Sequence, residues 1–332
     1  MGLTTDYRGI NNRLLERERT ASYVAGMTEP GTNPVKAGVA RAVSAVRELV
    51  PQRFRRDRPV VPVLRLAGVI GISSVLRPGL TMAGVSRSLD RLFGVRNAAA
   101  VALVINSPGG SPAQSHLIFR RIRDLAQENS RKVIAFVEDA AASGGYMLAC
   151  AADEIIADPN SVVGSIGVVG GSFGFDKLIA KIGVERRLYT SGSHKAMLDP
   201  FLPEDPSDVE RLKNLQREIH DDFIALVKSR RAGKLSGSEE SLFSGEYWTG
   251  RRALNLGLVD AIGDLRSVLR ERFGEKVYMP LITPERGFFG RRAFGIGANP
   301  LMVAGLHTAP LGLAEDTISA LEARALWARY GL

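Results

Sequence analysis

The stretch Ala99-Ala100-Val101-Ala102-Leu103-Val104-Ile105 is apolar at every position and runs directly into Asn106-Ser107-Pro108-Gly109-Gly110. A strand with one wet face alternates apolar and polar residues, whereas an uninterrupted apolar run is buried on both faces, as in a parallel sheet covered by helices. That requirement demands further strands and helices nearby, and the sequence supplies them. Val60-Val61-Pro62-Val63-Leu64-Arg65-Leu66, continuing to Gly68-Val69-Ile70-Gly71, precedes the run, and Lys132-Val133-Ile134-Ala135-Phe136-Val137 follows it. Between the second and third strands, Leu117, Ile118, Ile122 and Leu125 keep helical spacing. Repeated strand-helix units of this kind predict an α/β fold with a mostly parallel sheet.

Downstream, a small-residue helix is expected from Ser143 to about Ala152, short strands at Glu154–Ala157 and Val162–Val163, a short helix over Phe175–Ile182 and a strand over Glu185–Thr190. Val209, Leu212, Leu215, Ile219, Phe223, Leu226 and Val227 predict a long helix from near Ser207 to Arg231, opened by Pro206, Ser207 and Asp208. Gly257-Leu258-Val259-Asp260 reads as a last strand and Leu265–Phe273 as the helix closing the core. Three regions follow: a polar, basic leader over 1–58, a core domain over 59–278, and a tail over 279–332 with a Gly/Pro/Arg-rich linker to about Thr308 and a terminal helix over Leu313–Tyr330. Within the leader, Val35, Val39, Val43, Val46 and Val50 share one face of a helix.

The chain is 45% hydrophobic and 24% charged, the balance of a folded domain rather than a disordered one. Its net charge of +9 draws on Arg41, Arg47, Arg53, Arg55, Arg56 and Arg58 of the leader. No zinc-finger or aromatic RNA-binding signature accompanies that charge, so a nucleic-acid partner is not expected. A solvated segment and a peripheral contact with an anionic membrane surface both fit. The single cysteine, Cys150, can form no internal disulfide and lies in an apolar run suited to packing, which fits a reducing, cytoplasmic setting. No signal-peptide h-region and no transmembrane-length apolar stretch occurs.

Ser143, in Glu138-Asp-Ala-Ala-Ala-Ser143-Gly144-Gly145-Tyr146, sits where a strand gives way to a helix, the place for a displayed nucleophile. A serine hydroxyl needs a base, and a lysine serves when its pKa is lowered. Lys195, in Ser191-Gly192-Ser193-His194-Lys195-Ala196, is the candidate, with His194 its rival; His116, His220 and His307 lie in a helix, the long helix and the tail. An oxyanion needs preorganised donors, which the backbone amides of Gly109, Gly110 and Gly144 can supply, although Pro-Gly-Gly is equally an ordinary strand-ending turn. Ser165, in Gly164-Ser165-Ile166-Gly167, can orient a lysine ammonium or simply form a turn. Asp139, Asp153 and Asp199 are secondary polar candidates.

With these stretches, and with Tyr247-Trp248-Thr249-Gly250-Arg251-Arg252-Ala253-Leu254-Asn255-Leu256-Gly257-Leu258-Val259-Asp260, the chain resembles the signal peptide peptidase A family of bacterial serine peptidases over roughly residues 60–275, as the single-domain, half-length type. The resemblance implies a Clp-protease/crotonase-like fold and a Ser/Lys dyad with Ser143 as nucleophile and Lys195 as general base. It implies Ser165 as the lysine-orienting residue, an oxyanion hole at Gly109, Gly110 and Gly144, no metal or cofactor, peptide substrates, and a homo-oligomer in which neighbouring subunits can complete a site. Members that cleave signal-peptide remnants usually carry an N-terminal transmembrane anchor, and no such helix is expected here. Other functions compatible with the fold are a catalytically silent scaffold, a phage capsid-maturation protease and an acyl-CoA-transforming enzyme.

Overall fold

A computed structural model describes residues 58–71, 79–283, 320–321 and 323–332. The helix expected at 35–50 and most of the Gly/Pro/Arg-rich linker lie outside the described residues.

The apolar run forms the centre of the sheet. It lies in strand β2 (Val101–Ser107), buried at every position, between the parallel strands β1 (Val63–Ala67) and β3 (Val133–Ala142). The outer edge of β3 takes two partners in succession. Ile134–Val137 pairs with β4 (Glu154–Ala157), and Ala140–Ala142 pairs with β5 (Val162–Gly164). Strand β6 (Tyr247–Thr249) adds to β5 antiparallel, β7 (Ala261–Ile262) adds to β4 parallel, and β8 (Leu281–Ile282) adds to β1 parallel. Where the β2–β3 register shifts, between Ile105 and Ser107, the Asn106 side chain fills in. Its Oδ1 accepts the Ala140 N–H at 3.3 Å and its Nδ2 donates to Asp139 Oδ2 at 2.6 Å, so the irregular step leaves polar groups partnered.

Helices α1 (Met82–Phe93), α2 (Pro112–Glu128) and α3 (Gly144–Ala149) contribute to a core on one face, with Leu66, Leu103, Ile105, Ile118, Ile122, Tyr146 and Leu148 all essentially inaccessible. Helix α4 (Asp176–Lys181) lies outside this core, while α5 (Pro206–Arg230) enters it through Phe223 and Val227. Short helices α6 (Glu239–Leu242) and α7 (Gly250–Asn255) flank β6, and α8 (Leu265–Phe273) covers the opposite face with Leu269 against Ala102, Val104, Phe136 and Ile156. The α2 start follows from chemistry: Ser111 Oγ accepts the Gln114 N–H and Pro112 occupies the first turn.

Four local expectations change. Glu185–Thr190 is not a strand; every residue over 181–195 is exposed and no sheet edge among the described residues offers it a ladder. The last strand near 257–260 lies instead at Ala261–Ile262, because Gly257, with φ 72°, turns the chain and its carbonyl receives two bonds from Arg231. The helix after Ser143 ends at Ala149. The sheet also reaches Leu281–Ile282, within the stretch expected to be a loop.

Arg231 is a buried fastener, its side chain 2% exposed. It pairs at 2.7 Å with Asp260, which also accepts the Ile155 N–H at 2.8 Å and the Lys234 ammonium at 2.7 Å. Burial pushes the Asp260 pKa up, but these bonds outweigh it and hold the carboxyl below its ordinary range. Nearby, burial pushes the Cys150 thiol up to about 12.

Candidate active site

Strands β3 and β5 end side by side with Ala142 opposite Gly164, and the next residue of each is a serine. The Ser143 N–H donates to the Gly164 carbonyl at 2.8 Å, and the Ser165 N–H donates to the Glu246 carbonyl at 2.6 Å. Both serines have φ of 53°, in the left-handed region. For a non-glycine residue that conformation costs on the order of 1–3 kcal/mol and is retained where surrounding structure enforces it. At Ser143 it makes a sharp strand-to-helix turn, a geometry on which a nucleophile can be displayed.

Crowding explains the glycines after the nucleophile. A Cβ on Gly144 would lie 2.3 Å from Ser115 Oγ, and one on Gly145 would lie 2.5 Å from the Ser107 carbonyl oxygen. Only bare backbone lets α3 settle against α2 and β2 this closely. Gly109, with φ of 102°, faces the same turn: its Cβ would meet Ser143 Cβ at 2.8 Å.

The three expected amide donors differ. Gly109 N–H is taken by Ser107 Oγ at 3.2 Å, and Ser107 in turn donates to the Gly68 carbonyl at 2.7 Å. Gly110 is flanked by bonds to Ile70, from Ile70 N–H to the Gly109 carbonyl and from Ser111 N–H to the Ile70 carbonyl, each 2.8 Å. Alternation along the extended backbone turns the Gly110 N–H away from Ile70, and it meets no acceptor among the described residues. The Gly144 N–H, at the first position of α3, is likewise without one. Two donors are therefore open, that of Gly144 directly after Ser143 and that of Gly110 next in sequence to Gly109, the residue that abuts Ser143.

Lys195 is elsewhere. It is exposed, in a segment over 168–205 that leaves the core, and no hydrogen bond or ion pair joins it to Ser143 or Ser165. That segment is organised internally: the Phe175 ring lies tilted against those of Phe173 and Phe201, Arg186 pairs with Asp199 at 2.9 Å, and the Phe175 N–H donates to the Pro200 carbonyl at 2.6 Å. Its apolar side chains are nonetheless wet, Phe173 at 78%, Tyr189 at 91% and Ile182 at 64% exposure. His194 is exposed beside Lys195, His116 stacks on Phe119, and His307 lies outside the described residues. His220 comes closer than expected: from α5 its Nε2 lies 3.1 Å from the Ile166 carbonyl oxygen, steadying the turn that carries Ser165. Of the secondary acids, Asp139 serves the β2–β3 irregularity, Asp153 pairs with Arg123, and Asp199 pairs with Arg186. Among the described residues no group of three or more potential metal ligands converges.

Ser165 has a different companion, one absent from the sequence-based site. The Tyr330 hydroxyl lies 3.2 Å from Ser165 Oγ and 3.4 Å from the Pro108 carbonyl oxygen, and its ring meets Tyr247 edge-on at 5.0 Å. The Tyr247 hydroxyl donates to the Arg329 carbonyl at 3.2 Å. No periodicity or motif could have joined residues so distant in sequence.

Comparison with known proteins gives this geometry a context. Residues 126–276 match peptidase family S49. The chain is 54% identical over 288 residues to a Na(+)/H(+) antiporter NhaA of Brucella abortus (strain 2308), covering 86% of this chain and 39% of that protein. It is 33% identical over 218 residues to the chloroplastic serine protease SPPA of Arabidopsis thaliana, covering 63% of this chain and 31% of that one. A probable protease SohB of Buchnera aphidicola subsp. Acyrthosiphon pisum is 34% identical over 175 residues, covering 53% of this chain and 51% of that one. The chain spans about half or less of the length of each of these relatives. Among the described residues no helix is long and apolar enough to cross a membrane.

Proposed function

We propose that the chain, whose residues 126–276 match peptidase family S49, is a serine endopeptidase that hydrolyses peptides, such as signal-peptide remnants or unfolded segments, through an acyl-enzyme at Ser143. The observation that carries this reading is the strained Ser143 turn with the open N–H groups of Gly110 and Gly144 beside it.

Ser143 Oγ attacks the scissile carbonyl carbon and its proton passes to the neutral amine of Lys195. The oxyanion receives the Gly110 and Gly144 N–H groups, each such donor being worth about 10²–10³ in rate. The peptide C–N bond then breaks and the proton moves from Lys195 to the departing amine; water, deprotonated by the same lysine, attacks the acyl carbon, and the acyl–Oγ bond breaks as Lys195 returns that proton to Ser143 Oγ. Lys195 reaches Ser143 through assembly: the exposed apolar side chains of the 168–205 segment pack on a neighbouring copy, giving a homo-oligomer that brings the lysine to the serine. Ser165 then orients the ammonium. A cytoplasmic enzyme touching the membrane surface through its basic leader suits apolar peptide substrates, and the identity shared with a protein named as an antiporter supports a membrane-proximal setting.

Incubating purified protein with a peptide library and a serine-directed fluorophosphonate tests the reading. Hydrolysis and labelling are expected to vanish in Ser143→Ala, and hydrolysis to vanish in Lys195→Ala. Labelling that persists in Ser143→Ala refutes the nucleophile.

A further inference from the structure

We propose that a cationic cleft between α5 and the turn after β5 receives a carboxylate of the peptide substrate, held by Lys213 and Arg217. That the peptide is a substrate rests on the peptidase reading above; the capture of a carboxylate rests on the cleft.

Lys213, Gln216, Arg217 and His220 stand at i, i+3, i+4 and i+7 along α5 and so share one face of it. Across from them lies Val168, and together they line an open cleft of about 510 Å³ with no acidic side chain among the described residues. The two walls come close, since a Cβ on Gly170 would fall 2.9 Å from Gln216 Nε2. His220 Nε2 is committed to the Ile166 carbonyl at 3.1 Å, and Arg217 gives one N–H to Asn214 Oδ1 within its own helix. The rest of the Arg217 guanidinium and the Lys213 ammonium have no carboxylate partner among the described residues, although Glu204 and Glu210 line the adjoining cleft beside the same two cations. Like charges four residues apart on one helix face repel each other. An arriving carboxylate offsets that repulsion and matches the planar fork of the guanidinium.

Position ties the cleft to a peptide rather than to a free anion. Val168 is the third residue after Ser165, so it lies no more than about 11 Å from it. Ser165 itself follows the Gly164 carbonyl that accepts the Ser143 N–H at 2.8 Å. With about 5 Å between neighbouring strands, the cleft wall at Val168 stands within about 16 Å of Ser143, a span an extended peptide crosses in about five residues. A peptide attacked at Ser143 therefore brings an acidic side chain, or its own terminal carboxylate, to Lys213 and Arg217 when that group lies within about five residues of the scissile bond.

The test places Glu, Gln or Lys in turn at each position of one apolar fluorogenic decapeptide, with free and amidated C-termini, and reads the cleaved bond by mass spectrometry. In wild type, kcat/KM for a Glu peptide is expected to exceed that for its Gln twin by about tenfold at one register near the cleaved bond. A preference for the free over the amidated C-terminus, without one for Glu, assigns the captured group to the chain end and upholds the site. In Lys213→Gln/Arg217→Gln the preference is expected to vanish, and in Lys213→Glu/Arg217→Glu to invert in favour of Lys. Each preference is a ratio within one protein, so an effect on folding or on the chemical step cancels. The absence of any carboxylate preference in hydrolysis and in binding, or a preference that survives the double substitution, overturns the proposal. Loss of binding to phosphatidylglycerol vesicles in the double variant without any carboxylate preference also overturns it, and makes the cleft a lipid contact. Fluorescence anisotropy of the same peptides on Ser143→Ala keeps the two readings apart. Carboxylate-selective binding that depends on Lys213 and Arg217, with no hydrolysis by wild type, upholds the cleft and refutes the peptidase reading.

Discussion

Replacing Gly109 by alanine perturbs the site through one methyl group. Gly109 has φ of 102°, and an added Cβ would lie 2.8 Å from Ser143 Cβ, 2.9 Å from the Ala142 carbonyl oxygen and 3.0 Å from the Gly144 nitrogen. Two of those atoms are backbone, so no side chain can swing aside. The conformation alone costs about 1–3 kcal/mol for a residue with a Cβ, a part of the 5–15 kcal/mol typical of a folded domain. The variant should therefore still fold. Relief of the overlap must come from the 108–110 turn or the 142–144 turn, the two elements holding the open amides and Ser143. A displacement of ~1 Å at such a site costs about 10² in rate. Fluorophosphonate labelling of Ser143 should fall by about that factor, while urea unfolding shows a loss of only about 1–3 kcal/mol. Gly274→Ala is the control: φ is 88° there, yet nothing lies within 4 Å of the added Cβ. It should lose stability and keep its labelling rate. Equal labelling in Gly109→Ala and wild type, or equal slowing in Gly274→Ala, refutes the claim that close approach at Gly109 positions the site.

Two further outcomes concern the scaffold. Asp260→Asn leaves the Arg231 cation buried without its counter-charge and should cost about 3–5 kcal/mol in urea unfolding. Because the Asp260 pKa is depressed in the folded state, its contribution is complete above the ordinary carboxylate range and is lost as pH falls through the folded value; the difference between wild type and Asp260→Asn should shrink accordingly on acidification. Cys150, fully buried with its thiol pushed up to about 12, should resist iodoacetamide at pH 8 in the native protein and react once urea unfolds it, as read by mass spectrometry; rapid native alkylation would contradict the packing described.

What the sequence made legible follows from how local each signal is. The all-apolar run at Val101–Ile105 requires cover on both faces wherever it folds, so the central strand and its parallel neighbours could be read directly. The strained turn at Ser143 announced itself through the two glycines that crowding demands. Helix α1, by contrast, lies in a stretch the sequence reading left unassigned, although Thr81 caps it and Val85, Leu89 and Leu92 form its buried stripe. Arginine and serine between those positions mask the pattern. Glu185–Thr190 has the composition of a strand, yet a strand exists only by its partner, and the described residues offer none. The β1–β8 pairing and the Tyr330–Ser165 contact join residues far apart in sequence and carry no local signature. The site divides along the same line: the Gly109 turn lies against Ser143 and Gly144, whereas Lys195 lies on the exposed segment.

Ser143 and Ser165 each follow immediately upon a paired strand residue, Ala142 and Gly164, so the spacing between them is a property of ladder register. Length changes in the turn between β4 and β5 can be absorbed before Val162 without disturbing it. A single insertion between Val162 and Ser165 cannot, because it would send the serine to the opposite face of the sheet. The 168–205 segment carries no such restriction. Mutation can therefore vary the length and composition of that segment freely, while the spacing of the two serines is inherited unchanged with the sheet.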